Sequence, residues 1–385
     1  MKMKILHVVN ISFTIPYFLG EQLLYFSKKG YLIYIACSPS EKLKDYSIAY
    51  HFSYKEIPIL RKFSIFQDCK SIWNMCRYIK SEQIDIVSGH TPKGALIGMI
   101  AAFIMRVPVR LYFRHGLVYE TSIGTKRWLL IMIDRLTAYL ATKVICVSPS
   151  VFRRSLEDHL NSEKKQLILH KGTCNGIDVE RFCRSNVKKS LVLELRNKHK
   201  IPKNAIILGY VGRLVRDKGI VELVESLDII RRKNPRIVLL LVGMMEERDA
   251  LPYAVVESIQ ENPYIINANY VDNRYIDGYY ALMDVFILPS YREGFPTSIL
   301  EASAMEIPVI TTKVTGCIDA IIENKTGIFV EHNKEKMAVA ILDLLDSPEK
   351  KRAYGVAGRK FVKNILVQNL YGEKSKGYII IEIIQ

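Results

Sequence analysis

Short apolar runs alternate with longer amphipathic stretches along this chain, and past the midpoint the alternation starts again. Ile5–Val9, Leu32–Cys37, Ile84–Ser88, Val109–Phe113 and Val144–Val147 are brief apolar segments bounded by polar or turn residues. Between them lie helix-like stretches: Glu21–Lys29, closed by Gly30, then Ile65–Lys80, Lys93–Met105 and Lys126–Leu140. A strand buried on both faces reads as a continuous apolar run, because helices cover both sides of a parallel sheet. The pattern therefore predicts βαβ units. A charged stretch, Lys188–Lys200, ended by Ile201 and Pro202, precedes the second series. Its strands are expected at Ile206–Val211, Ile237–Val242, Val285–Leu288 and Val309–Thr311. Its helices are expected at Ile220–Lys233, Ile276–Met283, Thr297–Met305 and Lys334–Leu345. A length of 385 residues fits two domains of roughly 100–200 residues each. The expectation is an α/β protein with two doubly wound, Rossmann-like domains, 1–185 and 186–365. Ligands of such sheets bind beyond the carboxyl ends of the strands. Functional residues should thus lie in the loops after strands, and two such sheets imply a cleft between them.

Charge is distributed unevenly. Residues 1–185 carry 27 Lys and Arg against 14 Asp and Glu, a net of +13, whereas residues 186–385 carry 28 against 25. A strongly basic half suits an anionic partner: nucleic acid, an anionic membrane face or a phosphorylated substrate. The seven cysteines are dispersed, with no C-x-x-C pair, which fits neither a disulfide framework nor a zinc site and agrees with a reducing cytoplasm. The basic start, Met1 to Lys4, leads into only five apolar residues broken by His7, too few for a secretory leader. The longest apolar run, Ala95 to Met105, falls short of the about 20 residues needed to span a bilayer. Any membrane contact is expected to be peripheral, with the hydrophobic-basic stretch Lys93–Arg110 as a docking surface.

Two loops carry the chemistry. In Gly209–Gly219, a strand ends near Val211 and places Arg213 and Lys218 before a helix start. Free N–H groups and the helix dipole favour an anion there. Arg grips phosphate oxygens bidentately and Lys adds a point charge, so the pair suits a diphosphate. The spacing is not the G-x-G-x-x-G fingerprint, and a nicotinamide cofactor is not indicated. In Pro289–Glu301, strand Val285–Leu288 runs through a tight loop into another helix. Gly294 permits close backbone approach, and Pro296 suits a first helical turn. Amides around Phe295, Pro296 and Thr297 would face an anionic or hydroxylated ligand. Glu293 and Glu301 can accept hydroxyl donors from a sugar or ribose.

Together the two loops resemble the donor-binding half of the retaining GT-B glycosyltransferases of family 4. The resemblance runs through Ala302–Ile310, Val314–Cys317 and Asn324–Ile328 and covers nearly all of 205–365. Val147–Ser150 and Asn175–Phe182 also resemble family segments. The N-terminal half is similar to bacterial capsular-polysaccharide and lipopolysaccharide enzymes at Thr91–Gly94 and at His115-Gly116. The resemblance implies a GT-B fold whose final helix, about 366–385, returns to the first domain. It implies that Arg213 and Lys218 bind the donor diphosphate, that Glu293 contacts the transferred sugar, and that Gly294, Phe295 and Pro296 touch sugar and phosphate. Glu301 would accept the ribose hydroxyls and Val271 would sit near the base. In the acceptor-binding half, His115 would meet a sugar hydroxyl or phosphate, Arg114 an acceptor phosphate, and His90 is a similar candidate. One departure is the loop after the first strand, Asn10–Pro16, which lacks the glycines of many relatives.

Breaking a glycosyl–phosphate bond builds negative charge on the diphosphate, which preorganised cations stabilise. No Asp-x-Asp pair occurs in the chain, so Arg213 and Lys218 are expected to serve without an essential metal. The expected donor is a UDP-sugar. The expected acceptor is a polyprenyl-diphosphate-linked glycan at the inner membrane face, and the expected site of action is the cytoplasmic surface of an anionic membrane. An epimerase or phosphorylase on the same scaffold, or a basic nucleic-acid-binding protein, are the rival readings. No nucleic-acid module or stacking platform is visible, so no nucleic acid is expected as partner.

Overall fold

The computed structural model describes residues 2–169, 172 and 176–366. They form two compact units, divided between Gly176 and Ile177. Each holds one parallel sheet flanked by helices.

The strands of the first unit are β1 (Lys4–Val8), β2 (Leu32–Cys37), β3 (Ser53–Glu56), β4 (Ile86–Gly89), β5 (Val109–Arg114), β6 (Lys143–Cys146) and β7 (Gln166–Ile168). They lie in the order β3-β2-β1-β4-β5-β6-β7. The helices are α1 (Glu21–Lys28), α2 (Lys42–Tyr50), α3 (Ile65–Glu82), α4 (Pro92–Ile104), α5 (Gly124–Leu140) and α6 (Pro149–Glu157). Strand β4 is wholly buried, while the edge strand β3, Ser-Tyr-Lys-Glu, is exposed throughout. Charged side chains on an edge discourage pairing with another chain. Helix α6 follows a short recipe: Ser148 accepts a hydrogen bond from the Val151 N–H, and Pro149 opens the first turn. Helix α4 is a core helix. Lys93 is itself buried, with its ammonium 2.8 Å from Asp68, and of the large apolar residues in 93–110 only Phe103 and Ile104 stand exposed. Most of the Lys93–Arg110 stretch, expected as a docking surface, is thus core, and its exposed apolar part is confined to Phe103 and Ile104.

The second unit has strands β8 (Ile206–Val211), β9 (Ile237–Val242), β10 (Ile265–Asn267), β11 (Val285–Leu288), β12 (Val309–Thr312) and β13 (Gly327–Val330), in the order β10-β9-β8-β11-β12-β13. Its helices are α7 (Lys189–Lys198), α8 (Ile220–Lys233), α9 (Tyr253–Glu261), α10 (Ile276–Leu282), α11 (Thr297–Ala304), α12 (Cys317–Ala320), α13 (Lys334–Leu345) and α14 (Pro348–Leu366). Every residue of β9, Ile-Val-Leu-Leu-Leu-Val, is buried, as a central parallel strand requires. The boundary falls earlier than the expected 185/186. Ile177, Val179 and Phe182 pack into the second core, and Arg359 of α14 donates to the carbonyls of Val179 and Phe182. The expected return helix lies outside the described residues past Leu366.

In each sheet the strand order reverses beside the first strand, between β1 and β4 and between β8 and β11. Such a switch point is where open α/β sheets bind ligands.

Candidate active site

In the second unit, loops after β8, β11 and β12 close on one another at the switch point. Gly219, at φ +69°, lies so near Pro289 that a Cβ would come within 2.1 Å of its carbonyl oxygen. Only glycine tolerates both the conformation and the approach. The Tyr291 N–H donates to the Asp217 carbonyl at 2.8 Å, and Arg292 pairs with the Asp217 carboxylate at 2.7 Å. Gly316, at φ +83°, presses in the same way on the Gly294 carbonyl, and the Glu293 N–H donates to Thr315 O at 3.2 Å.

This zipped frame brings two of the expected residues together. The Lys218 ammonium lies 2.6 Å from Glu293 Oε1, with the side chains 13% and 15% exposed. Ser290 Oγ donates to the same oxygen at 2.8 Å. Behind them, the Ser290 carbonyl accepts from His332 Nε2 at 3.0 Å and from Thr312 Oγ1, and the His332 ring stacks on Tyr291. Ser290, Asp217, Thr312 and His332 had no role in the sequence reading. Their partners sit up to 75 residues away, beyond the reach of local spacing.

Arg213 is engaged elsewhere. Its Nη1 is 3.2 Å from Glu246 Oε2, and the side chain is 40% exposed. Glu246 is the more buried partner, at 16% exposed. Tyr210 OH donates to the Arg213 carbonyl at 2.7 Å and fixes the backbone there. Gly294 and Pro296 are buried, Phe295 packs partly against the core, and Thr297 opens α11 exposed. No side chain caps α11, which leaves its first N–H groups for water or a ligand. Val271 lies half-buried in the loop after β10. On α11, Glu301 accepts from Tyr280 OH at 2.8 Å. Burial pushes its carboxyl up to about 7, against the opposing pull of the Tyr280 hydrogen bond and the charge of Arg181.

The first unit places histidines at its switch point. His7 on β1 has Nδ1 3.2 Å from His90 Nε2, which Ser88 Oγ also meets at 2.9 Å. His90 Nδ1 lies 3.0 Å from His115 Nε2. Phe113 stacks on His90, and Phe18, carried by a π-helical turn over Ile15–Leu19, stacks on His115. The turn that follows the glycine-free loop thus lays an aromatic ring on His115. Burial drives His7 and His115 down to about 3 and His90 well below its ordinary value. All three are neutral imidazoles at physiological pH.

Two of the residues expected at the acceptor are buried here. His90 is fully buried and meets His7, Ser88 and His115 rather than a ligand. Arg114 is also fully buried. Its Nη2 lies 2.6 Å from Asp134 Oδ1, its Nη1 donates to Asn161 at 3.0 Å, and its guanidinium lies over the Tyr112 ring. Successive strand residues point to opposite faces. Tyr112 and Arg114 face Asp134 of α5, while Phe113 and His115 face His90. Arg114 clamps β5 to α5, and the polar groups of both Arg114 and His90 are engaged by protein partners. His115 keeps partial exposure. Among the described residues, no three His, Cys, Asp or Glu side chains gather to hold a metal ion.

The two units match two family models: "Glycosyl transferase 4-like" over residues 4–148 and "Glycosyl transferases group 1" over residues 192–361. The capsular polysaccharide biosynthesis glycosyltransferase CapM of Staphylococcus aureus is 36% identical over 364 residues, 94% of this chain and 92% of that protein. The UDP-Gal:alpha-D-GlcNAc-diphosphoundecaprenol alpha-1,3-galactosyltransferase of Escherichia coli is 27% identical, with 78% and 76% covered. Among solved structures, Anabaena Alr3699/HepE in complex with UDP and glucose superposes with a TM-score of 0.79 at 17% identity, covering 97% of this chain and 98% of that one. With this fold and these segments, the chain belongs to the family 4-like GT-B glycosyltransferases.

Proposed function

We propose that the chain transfers a sugar from a UDP-sugar, with retention, to a polyprenyl-diphosphate-linked glycan during the assembly of a capsule or related surface polysaccharide. The observation that carries the reading is the Lys218–Glu293 pair, held at 2.6 Å where the strand order reverses. Lys218 and Arg213 stabilise the departing diphosphate, without an essential metal. Glu293, held by Lys218 and Ser290, orients the transferred sugar, and the acceptor hydroxyl attacks from the leaving-group face without a protein adduct. The N–H groups at the start of α11 face the phosphate, Glu301 the ribose, and Val271 the base. His115 meets a substrate oxygen. The capsular relative and the lipid-linked substrate in the name of the Escherichia coli relative support the acceptor class, and the UDP-bound neighbour supports the donor.

The same reading gives the first unit an anionic membrane surface as partner, on the cytoplasmic side. No helix among the described residues is long and apolar enough to cross a membrane. Helix α5, however, exposes Trp128, Leu129, Met132, Leu136 and Tyr139 along one stripe, with Ile123 just before it. Spacings of three and four place these residues on one face, and Lys126 and Arg127 stand beside them. Aromatic and aliphatic side chains flanked by cations suit the headgroup boundary of anionic lipid.

The test is turnover of a panel of UDP-sugars on undecaprenyl-diphosphate-linked N-acetylglucosamine in anionic vesicles, with the product identified by mass spectrometry and its anomeric configuration by NMR. A retained linkage formed from one UDP-sugar is expected, faster on anionic than on neutral vesicles. Turnover only with GDP- or ADP-sugars would overturn the donor, an inverted linkage the stereochemistry, and indifference to lipid charge the membrane partner.

A further inference from the structure

The first unit keeps an unpaired amide where its strand order reverses. Asn10 stands just past β1 and opens the glycine-free loop. The Val9 N–H donates to the Ala36 carbonyl near the end of β2, and the Asn10 N–H donates to Thr91 Oγ1, past the end of β4, at 3.3 Å. These bonds fix the Asn10 backbone at the switch point between β1 and β4. The side chain is held by nothing comparable. Asn10 is only 8% exposed, yet its Oδ1 has no hydrogen-bond partner, and among the described residues none pairs with its Nδ2. Buried polar groups are nearly always paired, because leaving one unpaired is costly. Thr91 beside it carries a second cost. Its backbone lies at φ +62° and ψ +144°, a conformation that β-branched residues avoid. Gly94 makes room for it: a Cβ there would come within 2.7 Å of Thr91 Oγ1 and 3.2 Å of the Asn10 nitrogen. An unpaired carboxamide and a strained threonine thus stand together where an open parallel sheet takes its ligand. Features of both kinds gather where a ligand completes a site.

We propose that Asn10 is a substrate-binding residue whose carboxamide pairs with sugar hydroxyls of the acceptor. The chemistry of the amide selects the partner, because it has both an acceptor and a donor to satisfy. Neighbouring hydroxyls of a sugar ring supply both: one donates to Oδ1 while the other accepts from Nδ2. An ionised phosphate oxygen only accepts, and would leave Oδ1 as unpaired as before. The last torsion of an asparagine is broad, and with neither end held the carboxamide can turn either atom to an incoming group. Backbone bonds to the loops on both sides hold its Cα in place, so the reach of the amide is set in advance. The assignment to the acceptor rests on the transferase reading, in which the first unit takes the acceptor; the unpaired state of the amide does not.

The experiment compares the full wild-type chain with Asn10→Leu and Asn10→Asp. It measures thermal unfolding, UDP binding by calorimetry, and steady-state transfer to undecaprenyl-diphosphate-linked N-acetylglucosamine in anionic vesicles. Leucine removes both unpaired polar atoms, so the free Asn10→Leu chain should unfold at the wild-type temperature or above. Its transfer rate at low acceptor should fall about ten- to a hundredfold, the scale of two neutral hydrogen bonds, with UDP affinity unchanged. Aspartate keeps acceptors for hydroxyl hydrogens, so Asn10→Asp should lose less than Asn10→Leu. An Asn10→Leu chain less stable than wild type would make the carboxamide a structural group. Equal transfer by Asn10→Leu and wild type would leave the amide to water. A larger loss in Asn10→Asp than in Asn10→Leu would assign a phosphate oxygen, which the added charge repels, in place of the hydroxyls. Weakened UDP binding would move the contact to the donor. Each of these four results overturns the proposal while the transferase reading stands. A wild type that transfers no sugar would overturn that reading, and the acceptor contact with it.

Discussion

Both units reverse strand order beside their first strand, yet the groups standing there differ in kind. In the second unit the loops are charged and cross-linked: Lys218 to Glu293, Arg292 to Asp217, Arg213 to Glu246. In the first, three imidazoles kept neutral by burial lie within hydrogen-bond distance of one another along a line. Arg114, a strongly paired cation nearby, points to the opposite face of the same strand. The basic half of the sequence is thus not the half whose cations line the candidate donor site. Net charge reports on the surface and its partners; the chemistry depends on which face a strand end presents.

If that contrast holds, removing a cation has different consequences in the two units. Arg114→Met leaves Asp134 without its charge partner, and breaking a buried pair costs about 3–5 kcal/mol. The variant should show that loss in denaturant unfolding while UDP affinity stays as in the wild type; weakened UDP binding would erase the distinction. Lys218→Ala should lower the transfer rate by about 10²–10³ in steady-state kinetics on the vesicle substrate. A drop that tracks only a fall in melting temperature would make the pair structural. The smallest effect belongs to Glu301. Its folded carboxyl, at about 7, lies above its ordinary 4.5, so the folded chain holds this proton more tightly. Its contribution is full below about pH 4.5 and lost as pH rises through 7. Glu301→Gln should remove that component from the pH dependence of thermal unfolding, and curves of identical shape would place Glu301 in an ordinary solvated setting.

The sheets were legible because buried parallel strands are unbroken apolar runs, as in Ile237–Val242. Exposed Ser53–Glu56 and three-residue Gln166–Ile168 escaped, since an edge strand need show no apolar pattern. In the candidate donor site, Lys218 and Glu293 stood out because each lies in a glycine-marked loop after a strand. Their mutual contact did not, for pairing across 75 residues leaves no local trace. Arg114 and His115 were read together as acceptor-facing. The two-residue period of a strand already forbids adjacent residues from sharing a face, and applying it would have separated them. His7 was passed over because one histidine in an apolar strand looks like filler; only the fold brings it against His90.

Helix α5 gives the Arg114 clamp a wider meaning. Only Thr137, Ala138 and Leu140 of its seventeen residues are buried, although most helices in proteins are held by the apolar face they bury. Here part of the fastening is polar. Asp134 is gripped by Arg114 and Tyr112, Arg135 donates to the Asp158 carbonyl, and Arg127 lies over the Tyr119 ring. Riveted from below by charge and hydrogen bonds, α5 need not spend its oily side on the protein's own interior, and that side remains free for something outside it.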